Sequence, residues 1–353
     1  MNIVKPFKGI TYNKNIVKDL SQVLTPPYDI IDSKMQEELY NSHPYNFIRI
    51  DFGKRLDNDD TNNNVYIRAK NYFENWLKEN IFIQDTKPSL YLLVQDFILK
   101  NNGIETLSRI GFFGIYKLTE FSTKTIMPHE KTQSAPKEDR YMLTKTCGAY
   151  FSAVFSIYED QTFSIEKLAN EIISTNEPYF EFNDYQNVKN KLYKISDQDN
   201  IEKICNFMKN KPLYIADGHH RYETALRISK ELKHLNKETT DYTIMYFTNL
   251  CSESLKILPT HRILHNFQIN KEHFKNFLQN YFHIKEYTYH NIEVAIKELE
   301  MSKHNHSFLI VLPDQLILIT LKDINLIENF YEIKVPAILK KLDVNILYHV
   351  ILK

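Results

Sequence analysis

Glycine is scarce in this chain: seven residues in 353, with no G-x-G-x-x-G run among them. A dinucleotide fingerprint needs closely spaced glycines so that the backbone can approach a pyrophosphate, so that class of site is excluded. A Walker loop is excluded too, since no Gly-Lys-Ser/Thr occurs. Cysteine is rarer still. Cys147, Cys205 and Cys251 lie far apart with no C-x-x-C pair, which predicts small buried residues of a reducing compartment and neither a disulfide frame nor a metal site. Charge of one sign is also missing. Lys+Arg and Asp+Glu both number 44, so no basic excess recommends nucleic acid as a partner. No apolar run spans a bilayer; stretches such as Phe308 to Leu312 are far too short, and Met1 to Lys8 has no apolar signal core. These absences predict a cytoplasmic protein that does not enter membranes.

Aromatic residues are plentiful, with 23 Tyr and 22 Phe, enough for a well-filled core. At this length two or three subdomains are expected. Thr25-Pro-Pro-Tyr-Asp29 reads as a rigid extended entry into a turn, and serves a structural turn as well as a site. A short helix follows over 33–41 with Ser33 as its cap, and Tyr45 to Asp51 alternates like a half-buried strand. Tyr66, Ala69, Tyr72, Phe73, Trp76 and Leu77 share one face of a strong helix. Leu90 to Leu99 and Leu107 to Lys117 are strands around a turn at Asn101-Asn102-Gly103. Met127-Pro-His-Glu-Lys131 comes next, then Pro136-Lys-Glu-Asp-Arg140 opening a helix to Cys147. Further strands are expected over 150–158 and 242–248, and helices over 164–174 and 200–208. Beyond a soft boundary near His265, helices near 271–280 and 292–300 and a hairpin turning at Pro313-Asp314 form a smaller α+β unit. The expected division is therefore 1–265 and 266–353.

The most informative stretch is Pro212-Leu-Tyr-Ile-Ala-Asp-Gly-His-His-Arg-Tyr-Glu-Thr-Ala-Leu226. Leu213 to Ala216 reads as a short strand, and Ala225, Ile228, Leu232 and Leu235 mark the buried face of the helix that follows. Glu223, Arg227, Lys230 and Lys233 are left for solvent. Between them, Asp217, Gly218, His219, His220 and Arg221 crowd a carboxylate, two imidazoles and a guanidinium around a glycine. A helix N-terminus carries partial positive charge and unpaired N–H groups, and cationic side chains beside it suit a phosphate. Asp217 is otherwise only the helix cap and Arg221 a solvated charge. Four such groups within five positions favour a site.

Three ordered segments, Ile215-Ala-Asp-Gly-His-His-Arg-Tyr-Glu-Thr-Ala-Leu226, Pro128-His-Glu-Lys-Thr132 and Pro26-Pro-Tyr-Asp-Ile-Ile31, resemble the signatures of the domain-of-unknown-function family 1015. Pro136-Lys-Glu-Asp-Arg140 and Leu258-Pro-Thr-His-Arg262 fit the same pattern, so the resemblance spans nearly the whole chain. It also implies a further C-terminal segment rich in Gly, Lys and Tyr, and the expectation is that this chain does without it. More loosely, Asp217-Gly-His-His-Arg221 is similar to the phosphate turn of the ParB/sulfiredoxin superfamily, which includes nucleotide-dependent kinases of free serine. That resemblance implies a mixed-sheet ParB/sulfiredoxin-like core within an α+β fold. It also implies that the turn's basic residues hold nucleotide phosphates while its Asp acts as base.

The residues are compatible with that chemistry, since phosphoryl transfer asks a protein mainly for positioning and charge. Asp217 or Glu130 is the candidate base. Gly218, His219, His220, Arg221, His129 and Lys131 are the candidate nucleotide-binding residues. ATP or ADP, accompanied by magnesium, is the expected cofactor, with a small hydroxyl metabolite as substrate and no metal cage in the protein. His261 and Arg262 read as structural or supporting. A non-catalytic nucleotide-binding switch is the alternative reading. A ParB-like hydrolase or nuclease comes last, for want of a metal cage or an activated nucleophile.

Overall fold

The computed structural model describes residues 3–100, 104–129, 134–233, 238–258, 261–302, 304–331 and 335–353, and the side chains of 100, 104, 134–136, 238 and 239 are not described. The chain divides into two compact units, Met1–Leu258 and Pro259–Lys353. Both are α+β. No helix of the described residues is long and apolar enough to cross a membrane.

The first unit is built on strands β1 (Val4–Lys5), β2 (Ile10–Tyr12), β3 (Phe82–Gln84), β4 (Leu90–Lys100), β5 (Ile104–Lys117), β6 (Ile126–Met127), β7 (Val154–Tyr158), β8 (Phe180–Asn183), β9 (Lys189–Ile195), β10 (Leu213–Asp217) and β11 (Tyr242–Asn249). Its helices are α1 (Ser33–Ser42), α2 (Ile48–Asp51), α3 (Val65–Lys78), α4 (Ser134–Cys147), α5 (Ser164–Thr175), α6 (Gln198–Met208) and α7 (His219–Leu232). Nine strands form one mixed sheet in the order β6-β10-β7-β11-β5-β4-β9-β8, with β1 added to β5. The pairs β6–β10 and β7–β11 are parallel and the rest antiparallel.

Alternation in the sequence explains the sheet. Val154, Ser156 and Tyr158 of β7 and Leu213 and Ile215 of β10 point into one core. There they meet Ile165, Ala169 and Ile172 of α5 and Ile201, Ile204 and Met208 of α6. A second core gathers Ala69 and Trp76 of α3 with Tyr66, Tyr72, Phe73 and Leu77, as the helical spacing of these residues requires. The second unit has its own core around Leu278, Phe282, Ile317 and Ile319. It contains α8 (Lys271–Tyr281), β12 (Phe282–Tyr287), α9 (Ile292–Met301), β13 (Ser307–Val311), β14 (Leu316–Leu321), α10 (Ala337–Lys340) and α11 (Asp343–Ile346). Its sheet is antiparallel in the order β12-β14-β13, and the expected hairpin joins β13 to β14.

Several expectations need correction. Residues 45–51 are not a strand: Ile48–Asp51 is the short helix α2, although Ile48 and Ile50 are both buried. Asn46 causes the turn. Its side-chain carbonyl accepts from the Ile48 N–H at 3.0 Å, and the Phe47 N–H donates back to Val23 O at 2.8 Å. Helix α1 is capped by Asp32, whose carboxylate accepts from Met35 N–H at 2.8 Å, and not by Ser33. Strand β10 runs one residue further than expected and ends on Asp217 itself. Strand β7 starts at Val154 and not at Tyr150. The turn at Asn101-Asn102-Gly103 lies outside the described residues, though the strands flanking it pair as expected down to Lys100 opposite Ile104.

Candidate functional site

The parallel pairing of β6 with β10 puts Leu213 opposite Ile126 and Tyr214 opposite Met127. Parallel neighbours end on the same side of a sheet, so Pro128 and His129 emerge beside the Asp217-Gly218 turn. Ligands of α/β sheets gather at such strand ends. Strand β7 is antiparallel to β10, with Asp217 opposite Phe155, so its N-terminal approach through Ala153 reaches the same place. The start of β11, parallel to β7, arrives there too.

Gly218 occupies the N-cap position of the 14-residue helix α7 with φ 88° and ψ 31°, a left-handed conformation that suits glycine. It has no side chain with which to cap the helix, and the first helical bond runs from Tyr222 N–H to Gly218 O at 3.0 Å. The reading of Asp217 as helix cap is therefore corrected: as the last residue of β10, it lies one position too early. Its carboxylate accepts from Arg221 Nη2, while Arg221 Nη1 donates to Ala153 O. The Arg221 side chain is 19% exposed and that of Asp217 58%, so Arg221 is no solvated surface charge.

His129 and His219 meet edge to face, with ring centroids 4.5 Å apart and planes at 83°. His129 Nδ1 lies 2.7 Å from Ile215 O, so this nitrogen carries the proton and donates. The His129 N–H donates to His219 Nε2 at 3.2 Å. His219 is buried, His220 half-buried and His129 exposed. His129 Nε2 is left without a partner among the described residues and can face a ligand. Glu130 and Lys131, the other candidates on this loop, lie outside the described residues.

Helix α7 is held in place by Tyr222, which is fully buried. Its hydroxyl accepts from Thr119 N–H at 3.0 Å and donates to Thr119 O at 2.9 Å, and burial pushes its pKa up to about 12. The solvent face is less free than its spacing suggests. Glu223 accepts from Lys137 of α4 at 2.6 Å, and Arg227 reaches Glu138 at 2.7 Å.

Asp51, which the sequence did not mark, meets here Arg140, marked only as a motif member, and Tyr28, which read equally as a turn residue and a site residue. Asp51 of α2 and Arg140 of α4 form a buried ion pair at 2.9 Å, with side chains only 5% and 8% exposed. Arg140 also donates to Asp51 O at 2.9 Å and to Asp139 at 2.6 and 2.9 Å. Tyr28, from the Pro-Pro-Tyr-Asp segment, lies with its ring 4.1 Å from the Arg140 guanidinium. Burial pushes the Asp51 carboxyl up, and the charges of Arg140 and Arg221 oppose that shift. Asp51, Arg140 and Arg221 line one cavity of about 20 Å³, together with Ser152, Thr224 and Thr243 among others. It has room for about one water and none for a larger molecule. No group of three or more His, Cys, Asp or Glu able to hold a metal occurs among the described residues.

The model of a family described as a protein of unknown function, DUF1015, matches residues 4–345. The chain belongs to that family. No curated protein matches it, and no solved structure does either. Within this family member, Pro128-His129 and Asp-Gly-His-His-Arg are neighbours through the β6–β10 pair, and Pro-Pro-Tyr-Asp joins the Asp139-Arg140 end of the fifth motif through Tyr28 and Arg140. His261 and Arg262 belong to the second unit. Arg140 was signalled only as a motif member, whereas Asp51 carried no signal, because a buried acid at the end of a short helix has no spacing pattern of its own.

Proposed function

We propose that the chain is a cytoplasmic, nucleotide-dependent phosphotransferase that passes a phosphoryl group from ATP or ADP to a small hydroxyl metabolite. Free serine is the candidate suggested by the likeness of Asp217-Gly-His-His-Arg221 to the ParB/sulfiredoxin turn. The observation that carries this reading is the parallel β6–β10 pair, which delivers the two histidine-bearing motifs to the start of one long helix beside Arg221.

In this reading Arg221, His220 and His129 bind the phosphate chain at the positive end of α7. Phosphate oxygens would compete with Asp217 for the Arg221 guanidinium. A carboxylate released in that way can accept the proton of the acceptor hydroxyl as its oxygen attacks phosphorus and the nucleotide's bridging oxygen departs. Glu130 is the other candidate for that proton. Magnesium would be held by the phosphates and neutralise their charge.

The Arg221–Asp217 ion pair also gives some support to a second reading, a switch in which phosphate merely opens the pair and changes a partner. Thermal unfolding with ATP, ADP and CTP, with and without magnesium, tests nucleotide binding first. A nucleotide at a hundred times its dissociation constant should stabilise the fold by about 2.7 kcal/mol. No shift with any nucleotide contradicts both readings, and binding without transfer to any hydroxyl acceptor leaves the switch.

A further inference from the structure

The three-stranded sheet of the second unit has two edges, and they differ. Strand β12 at one edge carries His283, Lys285 and Glu286, all exposed, the kind of polar and charged residue that keeps an edge from pairing with another chain. Strand β13 at the other edge, Ser307-Phe-Leu-Ile-Val311, has no charge, no proline and no bulge. Its Val311 is 60% exposed.

The backbone of β13 has a defined phase. Leu312 N–H donates to Gln315 O at 2.9 Å and Leu321 N–H donates to His306 O at 3.2 Å, one at each end of the β13–β14 ladder. Bonded and non-bonded pairs alternate along an antiparallel ladder, so Phe308 and Ile310 turn their amide groups toward β14. Ser307, Leu309 and Val311 turn theirs away from it. Among the described residues nothing bonds the N–H or C=O of Leu309 or Val311. An uncharged edge with unpaired backbone groups is a template for a further strand.

We propose that β13 is a dimerisation edge, pairing antiparallel with β13 of a second copy of this chain. Two identical strands paired in this way are related by a two-fold axis, so each donates what the other accepts. With the axis at Leu309, Leu309 faces its own copy and Ser307 faces Val311, so all three outward residues are bonded. That register also sets His304 of one copy opposite Asp314 of the other, because the two are equally spaced about Leu309. Both are exposed, and over 304–314 no like charges are opposed. Neither the edge nor the register depends on the phosphate site proposed above.

Light-scattering mass of the full chain over a range of concentrations, with amide hydrogen exchange at the lowest and the highest, reads the contact. The expected result is a dimer at high concentration, in which the Leu309 and Val311 amides exchange more slowly than in the monomer. Val311→Pro removes one outward N–H from each copy and keeps the β14 ladder, since proline is tolerated where an edge N–H faces solvent. It should raise the dimer dissociation constant roughly tenfold or more. Val311→Lys, a charge at the same exposed position, should weaken the dimer too, and it decides the matter if the proline variant fails to fold. His304→Glu, which opposes Asp314 with a like charge, should weaken it severalfold. A chain that stays monomeric overturns the inference. So does a dimer that leaves the Leu309 and Val311 amides unprotected, or that forms undiminished in the folded Val311 variants. A dimer lost in those variants but indifferent to His304→Glu overturns the register.

Discussion

A Cβ added at Gly218 would lie 2.7 Å from Arg221 Nε and 2.8 Å from its Cζ, on a backbone whose φ is 88°. This glycine is thus required twice, for the left-handed turn and for the space that the guanidinium fills. Gly218→Ala should cost about 1–2 kcal/mol of stability from the backbone alone. It should also push Arg221 away from Asp217 and Ala153, so that nucleotide affinity falls together with stability. Urea unfolding and nucleotide titration of the same variant check both parts. A variant that binds as well as the unaltered chain would show that this turn does not place Arg221. The cluster of groups at 217–221 was legible because chemically unlike side chains crowd five positions. The place of Asp217 at the strand end was not, because strand end and helix cap differ by a single residue at a glycine turn.

The elements around the site are tied together by the Asp51–Arg140 pair, which joins α2 to α4 across 89 residues. Burying two charges costs desolvation, so the pair is weak evidence for stability, but removing one partner strands the other. Arg140→Met should therefore destabilise the first unit by about 3–5 kcal/mol. Replacing Asp51 by Leu in the same chain should recover much of the loss, and urea unfolding of the single and double variants measures both. If the single variant is as stable as the unaltered chain, Asp51 is accommodated without its partner and the pair does not hold α2. The exposed pairs between α4 and α7, such as Arg227–Glu138 with side chains 48% and 58% exposed, should matter far less. Strands and helices with sustained periodicity, such as α3, α5 and β11, were legible. Helix α2 was not: Ile48 and Ile50 mimic strand alternation, and the Asn46 side chain that turns the chain competes through bonds that no apolar pattern records.

At the scale of the whole molecule, the α+β class and a smaller α+β unit at the C-terminal end follow from the order of periodic segments. The pairing of β6 with β10 does not, since β6 has two residues and shows no pattern of its own. That pairing assembles the site, so motifs separated by about ninety residues could be named from the sequence but not seen as neighbours. In the proposed function, phosphates bind where these strands end, through Arg221, with Asp217 kept for the proton. Calorimetric titration of ATP with magnesium into the unaltered chain, Arg221→Ala and Asp217→Asn tests it most directly. Arg221→Ala should weaken binding by roughly tenfold or more, through loss of a charge-assisted donor. Asp217→Asn should bind at least as well as the unaltered chain, because it removes the anion that competes for Arg221, and any turnover should fall by a factor on the order of a hundred or more. Undiminished ATP affinity in Arg221→Ala, or its abolition in a folded Asp217→Asn, would contradict the account.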